Sequence, residues 1–73
     1  MTSGPAERSG IDLGEAARQL ELAVHDAQVA YDCLALGNVD RAHTYAITAR
    51  AAVDAAENVI RAALDANGSL GSE

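Results

Sequence analysis

Gly37 and Asn38 interrupt two stretches, 15–36 and 39–66, that contain no other glycine and no proline. That break constrains the fold more than any other feature. Glycine adopts the left-handed conformation that ends a helix without a Cβ penalty. Asparagine caps the start of a new helix through its side-chain oxygen. Asp40 then falls in the first turn, where a negative charge suits the helix dipole. "GNVD" therefore reads as a stop followed by a start. A connection this short makes the two helices antiparallel neighbours.

The reading is an all-α fold, an antiparallel two-helix hairpin with an alanine-rich heptad seam. It places a helix over 12–36, a turn at 37–38 and a helix over 39–66. Asp12 is the expected N-cap of the first helix. Glu15, three residues on, is expected to reach back in the manner of a capping box. Asn67–Gly68 is expected to end the second helix as Gly37 ends the first. The hairpin domain then spans 12–67, and 1–11 and 68–73, which lack apolar periodicity, read as disordered tails.

Heptad spacing suggests a seam. Leu13, Leu20, Ala27 and Leu34 recur every seven residues, with Ala16, Ala23 and Ala30 between them. In the second helix Val39, Ala46, Val53 and Ile60 recur, with Ala42, Ala49, Ala56 and Ala63 between. Alanine at every seventh position lets two backbones approach toward the close end of the usual helix spacing. On this reading Leu34 lies near Val39, Ala27 near Ala46, Leu20 near Val53 and Leu13 near Ile60.

A second stripe lies about 180° from that seam. Leu22, Val29 and Leu36 recur at heptad spacing on the first helix, with Cys33 beside them. Ala51, Ala55 and Ala62, with Ile47 beside them, make a small-residue counterpart on the second helix. These eight residues are the expected partner-binding surface. The partner is a second hairpin, giving a homodimeric four-helix bundle, or a helix of another protein.

Composition favours a partner for a separate reason. A 73-residue chain has little core and usually needs a staple. One cysteine excludes an intrachain disulfide. Seventeen residues are alanine, phenylalanine and tryptophan are absent, and Tyr31 and Tyr45 are the only aromatics. Net charge is −6 and every basic residue is arginine. An acidic chain without a basic patch argues against nucleic acid and against anionic membranes. No apolar run approaches the roughly 20 residues that span a bilayer. The polar start "MTSGPAERSG" carries no apolar signal-peptide core. A lone free thiol fits the cytoplasm.

No catalytic, cofactor or metal site can be assembled from the sequence. His25 and His43 lack the Glu-x-x-His pattern of a di-metal bundle. Asp32 beside Cys33 disfavours a thiolate. The carboxylates, Asp26 among them, read as solvated charges between the stripes. The expected function is a non-enzymatic protein–protein interaction module acting as a regulator, inhibitor or adaptor. The alternatives are an accessory subunit that folds with a different chain, and a small ligand- or metal-binding bundle using the histidines or a gap near Tyr31 and Tyr45.

The run "ALGNVDRAHTYAITA", residues 35–49, resembles the turn and second helix of a tetratricopeptide repeat. Gly37 matches the turn glycine of that family, and Ala30, Ala42 and Ala49 match its small packing positions. Asp26, Cys33 and Ala46 stand where it carries aromatics. The chain holds one copy where a solenoid needs about three. The resemblance implies a packed helical hairpin and no more.

Overall fold

The computed structural model describes the backbone of residues 12–71 and the side chains of 12–66. Two helices, α1 (Leu13–Ala35) and α2 (Val39–Gly71), pack against each other as a hairpin. The smallest dimension is 12 Å, the thickness of one helix, so the hairpin is a single layer. The tail expected at 1–11 and the last two residues lie outside the described part of the chain.

The turn forms as its residues dictate. Gly37 has φ +80°. Its N–H donates to the Leu34 carbonyl at 2.9 Å, and the Asn38 N–H donates to the Cys33 carbonyl at 2.8 Å. These two bonds are the Schellman pattern, which satisfies carbonyls left without helical partners. The Asn38 side-chain oxygen accepts from the Arg41 N–H at 3.2 Å, capping α2.

At the other end of α1 the cap is half of what a capping box provides. Asp12 Oδ1 accepts from the Glu15 N–H at 3.1 Å. The Glu15 carboxylate does not reach back. It accepts instead from Arg18 and, at 2.8 Å, from Gln19. Both partners lie one turn on, on the same helix face, where an i,i+3 or i,i+4 contact forms at little cost.

The second helix does not stop at Asn67–Gly68. It continues to Gly71. Asparagine and glycine carry only a propensity penalty of up to about 1 kcal/mol each inside a helix. Gly37 ends α1 because the next helix begins at once and draws the chain back.

The seam is the main correction to the sequence reading. Ala16, Ala23 and Ala30 are buried on α1, and Ala42, Ala52 and Ala56 on α2. All of these but Ala52 belong to the alanine rows expected at the seam, whose Ala49 and Ala63 are half-buried. The rows of large aliphatics were expected beside them, and they are exposed: Leu13, Leu20 and Leu34 on α1, Val39, Val53 and Ile60 on α2. Their places are taken from the opposite side. On α1 the half-buried Gln19 and the buried Asp26 and Cys33 complete the seam, and on α2 the half-buried Tyr45 and Val59 flank Ala52. The physical reason is distance. Two alanine rows face to face let the backbones close up, and bulky rows then fit only beside the line of closest approach.

Candidate interaction surface

With an alanine seam at the centre, the larger side chains of α1 and α2 fall on the two broad sides of the layer. One side is distinctly apolar. A groove of about 520 Å³ near the turn is lined from α1 by Ala27, Tyr31 and Leu34 and from α2 by Val39, His43 and Ala46, with seam alanines at its floor. Ala27 and Leu34 belong to the heptad row that continues through Leu20 and Leu13. Val39 and Ala46 belong to the row that continues through Val53 and Ile60. Residues seven apart lie on the same face of a helix, so all eight share one side of the hairpin. No charged residue interrupts either row.

This side exposes six large aliphatic side chains, Leu13 among them. Leu20 is 41% exposed, Leu34 58%, Val39 64%, Val53 45% and Ile60 38%. No large side chain is fully buried anywhere among the described residues. The usual arrangement, with large hydrophobes inside and small residues at the margins, is inverted.

Of the partner-binding residues expected from the sequence, the Leu22–Val29–Leu36 stripe lies on the other broad side, Cys33 lies in the seam, and Ile47 points away from the seam. Leu22 and Leu36 are exposed, and Val29 is half-buried. On α2, Ile47, Ala51 and Ala62 are exposed and Ala55 is half-buried. Cys33 is buried between the helices and presents no surface. The Leu22–Val29–Leu36 stripe is therefore not opposite the seam. The seam runs between that stripe and the Leu13–Leu20–Leu34 row, and one stripe flanks it on each side.

Asp26 is the residue that sequence reasoning missed. Expected among solvated charges, it is buried at 7% exposure in the seam. Its Oδ1 lies 3.2 Å from Nδ1 of the neighbouring His25, whose own side chain is exposed. The signal was present: Asp26 stands three residues from Ala23 and four from Ala30, the spacing of a shared helix face. The two histidines are not brought together, since His43 borders the groove and His25 contacts Asp26. The tyrosines are also separated: Tyr31 lines the groove and Tyr45 does not. Among the described residues no three His, Cys, Asp or Glu side chains converge on a point that would hold a metal ion.

The charges that remain are arranged along the helices. Arg18 pairs with the half-buried Glu15, and Arg61 with Glu57; the other three are exposed. The Gln19 amide and then the Arg18 guanidinium hold the Glu15 carboxyl below its ordinary value, and Glu15 in turn raises Arg18. Among the described residues no helix is long and apolar enough to cross a membrane. No family model, curated protein or solved structure matches the chain.

Proposed function

We propose that this protein is a small, non-enzymatic protein–protein interaction module of the cytoplasm, working as a homodimeric helical bundle that regulates, inhibits or adapts another protein. One observation carries the reading. Both helices turn uncharged aliphatic rows to the same open side, and the hairpin's own core is little more than alanine. At about 25 cal/mol per Å² of apolar surface buried, those exposed leucines, valines and isoleucine hold more stabilisation than the seam. Covering them would complete a four-helix bundle. The Leu22–Val29–Leu36 stripe, on the other side, is left for the regulated protein.

An accessory subunit that folds only with a different chain draws on the same thin core. Concentration separates the two readings. Molar mass from light scattering should settle at twice 7.5 kDa at micromolar protein and above, and helix content should be full in the isolated protein. Replacing Leu20 and Val53 together with aspartate should return a monomer. A wild-type chain that stays monomeric and poorly helical at every concentration would transfer the reading to the accessory subunit.

A further inference from the structure

The open apolar side is uneven along its length. Near the turn its middle positions are small, with Ala27 on α1 and Ala46 on α2, and they form the groove of about 520 Å³. One heptad further from the turn, about 10 Å along the axis, the same two rows carry Leu20 and Val53. One more heptad brings Leu13 and Ile60. The face is thus hollow at the Ala27–Ala46 level, off its centre toward the turn, and filled at the other three levels.

We propose that the occupant of this face is a second copy of the chain, turned end for end, so that Leu20 and Val53 of each copy seat against the Ala27–Ala46 hollow of the other. The inference rests on the homodimer reading and adds to it which face pairs and in which direction. Size supports a second copy. The shared rows run about 35 Å and the two helices span roughly 20 Å. The face therefore offers on the order of 700 Å², close to the roughly 800 Å² that each partner contributes to a stable interface.

Symmetry supplies the direction. A closed dimer that pairs one patch with itself has a two-fold axis in the interface. If that axis runs parallel to the helices, the turns share one end and every residue keeps its height. Ala27 and Ala46 then face the same level of the partner, hollow on hollow, and Leu20 and Val53 crowd their own copies. Interfaces packed like protein interiors do not leave such voids. If the axis runs across the helices, height is reversed. Full overlap then sets the Leu34–Val39 level against the partner's free end. The same overlap brings the hollow level against the Leu20–Val53 level, and it does so twice. Only this arrangement matches large with small at the two inner levels of the face, where the hollow lies.

The direction is testable without disturbing the interface. Leu36 is 85% exposed and belongs to neither row of the open face. A spin label at Leu36→Cys, in a Cys33→Ala background, reports the distance between the two turns of a dimer by double electron–electron resonance. The end-for-end arrangement predicts about 40 Å. A dimer with labels within about 25 Å, the span of a few helix diameters, would overturn the inference and leave the homodimer reading standing. A second variant tests the face. Ala46 is exposed in the lone hairpin, so Ala46→Leu should keep full helix content while filling the hollow and weakening dimerisation at least tenfold. Unchanged dimerisation would place the interface elsewhere and overturn the proposal. Wild-type protein that is monomeric throughout would overturn both the proposal and the reading beneath it.

Discussion

The seam and the open face are built from the same two helices and differ chiefly in how many bulky aliphatic side chains they carry. The seam is alanine, with Asp26, Cys33 and Gln19 on one helix and Tyr45, Ala52 and Val59 on the other. The open face carries Leu20, Leu34, Val53 and Ile60. The difference teaches that burial within a chain does not always follow hydrophobicity. An isolated pair of helices has one line of closest approach. Rows of alanine win it because they permit the shortest distance, and each buried alanine gains little area but gives up no side-chain entropy. The bulky rows are left outside, where they gain nothing until something covers them. On this view the seam specifies the hairpin and the face provides association.

The comparison breaks most sharply at paired alanines. Ala56 is the most buried residue, with no exposed surface, and Ala46 lies on the open side. The same substitution should separate them. Ala56→Leu forces extra methylenes into the closest approach of the helices, a cost of about 1–3 kcal/mol. Ala46→Leu in the monomeric Leu20→Asp, Val53→Asp background should change stability by no more than about 0.5 kcal/mol, as surface substitutions do. Urea unfolding of both variants in that monomeric background removes the concentration dependence that a dimer adds. Equal losses would mean that the two regions are not energetically distinct.

The same pair of regions shows what the sequence made legible. The turn was readable in full, because Gly37 and Asn38 each have one local task that needs no tertiary information. The alanine rows were also readable, since heptad spacing identifies them on both helices. The neighbouring rows were misassigned because α2 offers three adjacent uncharged rows, led by Val39, Ala42 and Tyr45. Periodicity identifies the middle row and does not say which flank turns inward. Size suggested the valine and isoleucine flank, and closest approach selected the other. Asp26 went unseen for the same reason: once Leu20 and Leu34 were assigned to the seam, Asp26 fell on its outer margin. The continuation of α2 through Asn67 and Gly68 was missed because a residue pair that costs little inside a helix was read as a stop.

Gly37 sharpens the comparison by acting on both regions at once. It fixes the register that aligns the alanine seam and also sets Leu34 beside Val39 at the groove. An added Cβ would meet no atom within 4 Å, so the cost of Gly37→Ala is backbone strain alone, about 1–2 kcal/mol for a left-handed residue. The expected outcome is a loss of that size in urea unfolding of the monomeric background. Gly37→Asn should recover part of it, because asparagine tolerates the left-handed region. If alanine and asparagine cost the same, the positive φ is not what the turn depends on.

The smallest expected effect lies at Glu15, beside the cap of α1 and away from the groove. Its carboxyl is held below the ordinary 4.5 first by the Gln19 amide and then by Arg18. A carboxyl whose folded pKa is lowered adds stability above its unfolded pKa. That contribution fades as pH falls from the unfolded value through the lowered folded one. Carbon-detected NMR titration of the Glu15 carboxyl should therefore show a midpoint below 4.5, and Gln19→Ala should raise it more than Arg18→Ala does. The pair lies at the surface, so water and salt screen it and the thermal midpoint should barely move. The order of the two variants is informative. If Arg18→Ala gave the larger rise, the pair would be mainly an ionic contact and its shift would vanish in high salt. A shift that persists in salt is set by the amide hydrogen bond and belongs to the helix start, independent of the seam and the open face alike.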